Sequence, residues 1–191
     1  KVIGVEPAGA PCMKDAIDNG GVIKLAEIDK FVDGAAVQQA GSFTYEVCKQ
    51  VLDDIVVVPE GAVCTTIIQM YNKSAIVVEP AGALASAALR FYADKIKGKK
   101  VACLVSGGNI DVNILDRVIK RGLQTAGRHC VLTVELIDRP GQLMKVSKII
   151  ADNGGNLIGV HHERSNANRD INGCFLRMNL ETRNFEQIEN I

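Results

Sequence analysis

The segment 101–109, Val-Ala-Cys-Leu-Val-Ser-Gly-Gly-Asn, constrains the fold more than any other stretch of the chain. Its apolar first half predicts a buried strand, and Ser106, Gly107 and Gly108 then lead into helix-like sequence. Open α/β sheets bind ligands at the carboxyl ends of their strands, where small polar residues and glycines leave room. The sequence therefore predicts a site for a small polar ligand at this point.

The first two thirds of the chain alternate between strand-like and helix-like segments. Strand-like runs are 1–5, 55–58, 75–78 and 101–105, and helix-like runs are 13–17, 42–52, 62–71, 84–95 and 110–121. Such alternation predicts βαβ units, a mostly parallel sheet and the α/β class. The composition changes at 122–128, which predicts a linker between a first domain, 1–121, and a second domain, 129–191.

The second domain shows a different pattern. It consists of a strand-like run (131–137), a helix-like run (143–151), two strand-like runs (156–164 and 171–180) and a helix that begins at Glu186. This order matches five of the six elements of a ferredoxin-like βαββαβ unit, and the last strand is expected beyond Ile191. Because side chains alternate across a strand, Leu176, Met178 and Leu180 are predicted to share one face.

Charge and cysteine content narrow the function classes. Lys plus Arg and Asp plus Glu are equal at 22 each, so no net field favours nucleic acid or an anionic membrane. Small molecules or other protein chains are the expected partners. The six cysteines have no paired spacing, which predicts reduced core residues of a cytoplasmic protein. The sequence has no signal peptide or membrane-length apolar stretch, and we expect it to be part of a longer protein.

Three polar residues fall at the ends of strand-like runs, and together they favour a ligand site over simple turns. They are Glu6, Glu79 and Ser106, and Glu-Pro-Ala-Gly-Ala occurs at both 6–10 and 79–83. The Ser106 hydroxyl can bind a neutral ring nitrogen without stabilising a positive charge there. Asn109 either contacts the ligand or caps the following helix, a role that Asp111 could also fill. The three histidines (129, 161 and 162) lack metal-site spacing and are interpreted as structural or surface residues.

Three motifs carry a resemblance to a known family. Asp33-Gly34, Glu79 to Ala83 and Ser106 to Asn109, in this order and at these separations, resemble the carboxyl half of fold-type II pyridoxal-phosphate enzymes. Serine and threonine dehydratases are the nearest branch. In the second domain, Asp138 to Leu143 and Gly154-Gly155-Asn156 resemble an ACT regulatory domain. Together the motifs resemble the ACT-bearing threonine ammonia-lyases over essentially the whole chain.

The resemblance implies both a fold and a cofactor site. The expected fold is part of a fold-type II parallel sheet with flanking helices, followed by an ACT domain without its last strand. Ser106 would be the partner of the pyridine nitrogen of pyridoxal 5'-phosphate. The residues expected beside the cofactor are Gly107, Gly108, Asn109, Glu79 and Gly34.

A cation site is also implied, with less agreement to the family. Glu6 and Ala10 match a cation site of the family, but Cys12 stands where the third ligand is usually an acid. A hard cation prefers oxygen ligands. The resemblance therefore implies a monovalent or divalent cation at Glu6 and Ala10, with Cys12 in the place of the usual acid.

The implied activity is β-elimination and deamination of L-threonine, and of L-serine, to 2-oxobutanoate or pyruvate and ammonia. The Schiff-base lysine and the glycine-rich phosphate loop are expected upstream of Lys1, so the fragment alone is expected to be inactive. Isoleucine or valine is the expected effector where two second domains pair in a homo-oligomer, and its predicted contacts are Asp138, Pro140, Gly141, Gln142 and Leu143. Serine racemase, serine dehydratase and a non-catalytic amino-acid sensor stay open as alternatives.

Overall fold

The computed structural model describes residues 1–164 and 172–191 and divides the chain into two units, Lys1–Ile119 and Lys120–Ile191. Each unit has a hydrophobic core of its own. Ile171, the predicted first residue of the third strand in the second domain, lies outside the described residues.

The first unit is an α/β arrangement around a parallel pair of strands. Its elements are β1 (Ile3–Pro7), α1 (Cys12–Asp18), a 3-10 turn (Asp33–Ala35), α2 (Ser42–Val51), β2 (Asp54–Val58), α3 (Glu60–Ser74), α4 (Pro80–Ala88), a second 3-10 turn (Leu89–Phe91), α5 (Ala93–Ile96) and α6 (Val112–Thr125), which continues past Ile119. Strands β1 and β2 run parallel, with Ile3 opposite Asp54 and Pro7 opposite Val58. The predicted α/β class with a parallel sheet is confirmed.

The core of the first unit lies between β2, α3 and α4. Val58, Val63 and Ile67 are at most 2% exposed and pack in one cluster with Leu84 and Ala87 of α4. Removing an aliphatic side chain of this size from water stabilises the fold by about 1.5–3 kcal/mol. The alanines of α4 allow this helix to lie close to its neighbours, so the start of α4 is held firmly against the sheet.

Two predicted strands, 75–78 and 101–105, do not form regular strands. In the part of the chain that the structure describes, β1 and β2 pair only with each other, and neither segment has a neighbouring strand to complete a ladder. Ile76 and Val77 are 44% and 45% exposed, and Leu104 of the other segment is 80% exposed, so neither segment is fully buried. Both segments have strand-like sequences, but a β-strand also needs a neighbouring strand to hydrogen-bond with, and a local sequence pattern does not show whether one is present.

Two predicted helices have different bounds. The run 84–95 is predicted as one Ala-rich helix, but the structure divides it into α4, a 3-10 turn and α5. The run 110–121 forms α6, which continues to Thr125, so the first four residues of the predicted linker are helical. Gly127, at φ 64°, ends this region, and its carbonyl accepts a 2.7 Å hydrogen bond from the Thr182 hydroxyl. This bond lies inside the second unit, which contains the whole of the predicted linker.

The second unit has the strand order of a ferredoxin-like unit. Its further elements are β3 (His129–Ile137), α7 (Gln142–Asp152), β4 (Asn156–Glu163), β5 (Gly173–Glu181) and α8 (Phe185–Asn190). The antiparallel order is β3-β5-β4. Leu176, Met178 and Leu180 are at most 1% exposed and pack with Ile150 of α7, which confirms the predicted face of β5.

Two further expectations concern cysteines and membrane spans. All six cysteines lie in described residues, none is joined to another by a disulfide, and three of them (Cys12, Cys64 and Cys174) are buried. Among the described residues, no helix combines the length and the apolar character needed to cross a bilayer.

Candidate functional site

Glu79, at the start of α4, is the centre of the first candidate site. Its backbone N–H donates to the carbonyl of Gly107 at 3.3 Å, which joins the ends of the segments 75–79 and 101–107. A Cβ atom built on Gly107 would overlap the Glu79 carboxylate, and Gly107 has a φ of 68°, which favours glycine. A Cβ atom on Gly34 would lie 3.7 Å from Oε1 of Glu79. The structure thus brings Gly34, Glu79 and Gly107 together.

Helix α4 also fixes the position of Ser106. A Cβ atom on Gly82, within α4, would overlap the carbonyl oxygen of Ser106 and lie 2.9 Å from the carbonyl oxygen of Gly107. A Cβ atom on Gly108 would lie 3.2 Å from the carbonyl oxygen of Val77. Glycine at these positions is therefore what allows the backbone of 106–108 to lie against α4 and its preceding segment. Ser106 itself is exposed.

The capping question around Asn109 is resolved in favour of Asp111. The Asp111 carboxylate accepts a hydrogen bond of 2.8 Å from the backbone N–H of Asn113, in the first turn of α6. This is the contact expected of an N-cap residue. Asn109 is exposed beside Gly108 and is not needed as the cap, so its predicted contact with a ligand stays a prediction.

Glu6 and Cys12, two of the three positions of the predicted cation site, lie together at the start of α1. The Glu6 carboxylate accepts hydrogen bonds from the backbone N–H groups of Met13 (2.9 Å) and Lys14 (2.8 Å), and the Cys12 thiol lies 3.7 Å from its Oε1. Burial and the nearby Glu6 charge raise the pKa of the Cys12 thiol. Glu6 therefore caps α1, and Cys12 is held as a neutral thiol that suits a hard cation poorly. Ala10 is fully buried nearby in the chain, and the cation stays a prediction.

The five predicted effector contacts all line one cavity of about 370 Å³ in the second unit. They are Asp138, Pro140, Gly141, Gln142 and Leu143. Gly141, at φ 88°, is the N-cap of α7, and within the described residues no side-chain hydrogen bond caps this helix. The cavity therefore combines an acidic group with a helix N-terminus, where backbone N–H groups attract negative charge.

Five residues that line this cavity were not among the predicted contacts: Arg139, His162, Arg164, Cys174 and Leu176. His162 Nε2 lies 3.7 Å from Asp138 Oδ1, Arg164 Nε lies 2.9 Å from Asp138 Oδ2, and Cys174 also lines the wall. The spacing of the histidines in the sequence predicts only a structural or surface role for His162. The missing information was the register of β4 against β5, which no sequence pattern in the chain defines. The alternation of side chains along β4 could have indicated which face of the strand His162 occupies, but not which residues of β5 it faces.

Comparison with known proteins gives the class of the first unit. Residues 1–107 match the family described as pyridoxal-phosphate dependent enzymes, which is more than half of the 191-residue chain. The chain belongs to this family, and the family's cofactor is pyridoxal phosphate.

The particular relatives are more specific. Biosynthetic L-threonine dehydratases of Halalkalibacterium halodurans and Bacillus subtilis are 51% and 49% identical over 143 residues, which is 75% of this chain and 34% of each relative. The chain thus spans about a third of the length of these curated relatives.

Solved structures give a matching picture. The processed form of threonine deaminase isoform 2 from Solanum lycopersicum is 32% identical, with a TM-score of 0.59 over 63% of this chain and 36% of that one. Maize serine racemase is 27% identical, with a TM-score of 0.55 over 63% of this chain and 39% of that one.

Proposed function

We propose that residues 1–121 are the carboxyl-side part of the catalytic domain of a pyridoxal-phosphate-dependent threonine ammonia-lyase, or threonine dehydratase. The observation that carries this proposal is that Glu79 lies against both Gly34 and Gly107, the residue that follows the exposed Ser106. The relatives that are about 50% identical and are named biosynthetic L-threonine dehydratase support the choice of substrate.

The glycine-lined wall fits one side of a pyridoxal-phosphate ring. Gly34 and Gly107 lack the Cβ atoms that would meet Ala81 and the Glu79 carboxylate, so Glu79 lies directly beside the backbone that the ring would face. When bound, the cofactor supplies the electron sink for loss of the α-proton and of the β-hydroxyl as water from L-threonine, whose enamine product hydrolyses to 2-oxobutanoate and ammonia. Ser106 would hold the ring nitrogen, and Gly107, Gly108 and Asn109 would lie beside it.

The identity of the residue at position 106 sets the electronic character of this site. A serine hydroxyl donates a hydrogen bond to a neutral ring nitrogen but does not hold that nitrogen protonated. An acid in the same place would stabilise the protonated ring. Ser106 therefore supports a weaker electron sink, which suits prompt β-elimination.

The proposal makes two demands on the longer protein. The sequence encoded upstream of Lys1 should contain a lysine after a strand-like run, together with a glycine-rich segment, because both are needed to hold the cofactor. That longer protein should release 2-oxobutanoate from L-threonine, measured by coupled oxidation of reduced nicotinamide. An upstream sequence that lacks both features would refute the enzyme assignment and leave the amino-acid sensor.

A Ser106→Asp variant of that longer protein tests the role of the hydroxyl. We expect a changed cofactor absorption spectrum and a changed partition of products, with the same variant at Ser42, an exposed residue at the start of α2, as the control. If Ser106→Asp and Ser42→Asp both leave the spectrum and the products unchanged, Ser106 does not contact the ring nitrogen.

A second candidate function is supported by the similarity to maize serine racemase. The glycine-lined wall is compatible with racemisation and with β-elimination, because both reactions begin with loss of the α-proton from the same kind of substrate. Chiral chromatography of L-serine reactions distinguishes them. Accumulation of D-serine in excess of pyruvate would favour the racemase, and pyruvate with 2-oxobutanoate from threonine would favour the ammonia-lyase.

For residues 129–191 we infer an ACT-type regulatory domain, joined through 122–128, that binds isoleucine or valine and mediates a homo-oligomer. The ligand's ammonium would face Asp138, and its carboxylate would face the N–H groups at the start of α7, after Gly141. Leu143 supplies apolar surface at the same cavity. These contacts complement both charged ends and the side chain of a branched amino acid.

Calorimetry on the 191-residue chain tests the effector. We expect isoleucine or valine to bind, and we expect Leu143→Ala to weaken binding about tenfold, because burying a few methylene groups contributes about 1–3 kcal/mol. The neighbouring Met144, which is 70% exposed, provides the control in Met144→Ala. No heat of binding from either amino acid, at concentrations well above those that regulate metabolic enzymes, would exclude this role for the cavity.

A further inference from the structure

The effector cavity contains a second chemical feature that the amino-acid proposal does not use. Side-chain ligand atoms of Asp138, His162 and Cys174 all lie within 4.8 Å of one another. One is a carboxylate oxygen, one an imidazole nitrogen and one a sulfur. Among the described residues, this is the one group of three such side chains close enough together to share a metal ion.

The topology of the second unit explains why these residues meet. Cys174 and Leu176 share a face of β5, and His162 of β4 is directly opposite Leu176, so His162 and Cys174 are diagonal neighbours on that face. Leu136 of β3 is opposite Cys174, and Asp138 follows two residues later on the same side. The backbone N–H of Asp138 donates to the carbonyl of Asn172 at 2.8 Å, which continues the pairing beyond β3.

We propose that Asp138, His162 and Cys174 form a binding site for a thiophilic divalent cation of the Zn²⁺ class. Zinc accepts thiolate, imidazole and carboxylate ligands together, whereas Mg²⁺ and Ca²⁺ require oxygen. Three protein ligands leave the fourth tetrahedral position for water. The mixed donor set on three separate strand ends distinguishes this cluster from an exposed patch of acidic residues.

Burial and charge around the cluster are consistent with such a site. Cys174 is 3% exposed, while the side chains of Asp138 and His162 are 33% and 35% exposed, so the ion would enter from the cavity side. Arg164 occupies Asp138 Oδ2 at 2.9 Å, but Oδ1 faces His162. The arginine therefore competes electrostatically with the ion without blocking the oxygen that the site needs.

Titration of the metal-free 191-residue chain with Co²⁺ and then Zn²⁺ tests the site directly. We expect a near-ultraviolet thiolate-to-cobalt charge-transfer band at one equivalent, and we expect Zn²⁺ to displace it. Cys174→Ser should abolish the band, and His162→Gln should weaken affinity at least about 100-fold, since loss of an outer partner alone costs 10–100-fold.

Matched controls lie in the same sheet. Cys130→Ser removes the cysteine at the opposite end of β3, and His161→Gln removes the histidine next to His162 on the other face of β4. Both should bind the metal as the parent chain does. Arg164→Gln should tighten binding by up to about fivefold, the range that an exposed ion pair spans.

Three results would overturn the proposal: no charge-transfer band in the parent chain, a band that Cys130→Ser removes and Cys174→Ser leaves, or equal affinities for His162→Gln and His161→Gln. Far-ultraviolet circular dichroism of each variant identifies any that do not fold. Because Cys174 is buried, His162→Gln at the exposed rim gives the decisive comparison if Cys174→Ser unfolds. The test needs neither threonine chemistry nor an amino-acid effector, so it stands apart from the proposed function.

Discussion

Gly82→Ala is the substitution that most directly tests how α4 holds the wall of the first site. Helix propensity alone predicts stabilisation by about 1 kcal/mol, because alanine is preferred over glycine inside a helix. The structure predicts the opposite sign. A Cβ atom at this position would overlap the Ser106 carbonyl oxygen and lie 2.9 Å from the Gly107 carbonyl oxygen, where ordinary contact begins at 3.4 Å.

The size of the effect follows from the atoms that must move. Both obstructing atoms belong to backbone, and the overlap with the Ser106 carbonyl oxygen is relieved only if that part of the segment 106–107 retreats from α4 by roughly an ångström or more. Overpacking of this kind costs about 1–3 kcal/mol. Movement of Gly107 also weakens the 3.3 Å bond from the Glu79 N–H, which contributes about 0.5–1.5 kcal/mol. After the gain in helix propensity is subtracted, we expect net destabilisation of about 1–3 kcal/mol.

Urea unfolding of the 191-residue chain, followed by circular dichroism, measures this free energy. Gly21→Ala is the control, because a Cβ atom there meets no atom within 4 Å and the residue does not have a positive φ. It should change stability by no more than about 1 kcal/mol. If Gly82→Ala proves as stable as the parent chain or more stable, the 106–107 segment does not pack against α4 and the wall of the site is incorrectly described.

Two further predictions concern an ion pair and the second core. Hydrogen bonds from Lys95, and to a smaller extent from Tyr92, lower the pKa of Asp54 in the folded chain. The stability that Asp54 contributes is therefore fully present above the unfolded-state pKa of about 3.8, and it is lost as the pH falls through the lower pKa of the folded state. The difference in melting temperature between the parent chain and Asp54→Asn should therefore be present at pH 7 and disappear in strong acid; a difference that persists there would contradict this. Ile150→Ala should cost about 2–5 kcal/mol because its side chain is 1% exposed, whereas Ile149→Ala, at a site 51% exposed, should cost about 0.5 kcal/mol or less in the same urea assay. Equal losses from the two would show that α7 does not pack through Ile150.

Local patterns in the sequence predicted much of this fold because the spacing of apolar residues shows which side chains are buried on the same face of a helix or strand. The alternation in β5 placed Leu176, Met178 and Leu180 on the buried face, and the amphipathic run after Gly141 became α7. The same reasoning predicted that Glu79 and Ser106 lie near each other, and the Glu79 N–H does donate to the carbonyl of Gly107, the residue after Ser106. Periodicity identified elements and their faces correctly in these cases.

What the sequence did not predict depends on contacts between distant segments. The runs 75–78 and 101–105 have strand-like composition, but a ladder requires a neighbour, and the described residues provide none for them. Glu6 was expected at a ligand crevice, whereas its carboxylate caps α1 through the N–H groups of Met13 and Lys14. A short helix with unpaired N–H groups competes with a ligand for the same acid. Such competition is invisible until the geometry is known.

Both proposals for the second unit use the same cavity and depend on the same strand register. An amino-acid effector needs Asp138 and the start of α7, but it does not need Cys174, which lies on the buried face of β5. A thiophilic ion needs Cys174 and His162, and it also takes Asp138. The two ligands therefore share one carboxylate and differ in everything else. If both proposals hold, Zn²⁺ should lower the apparent affinity for isoleucine in the parent chain, and Cys174→Ser should remove that effect while isoleucine binding persists.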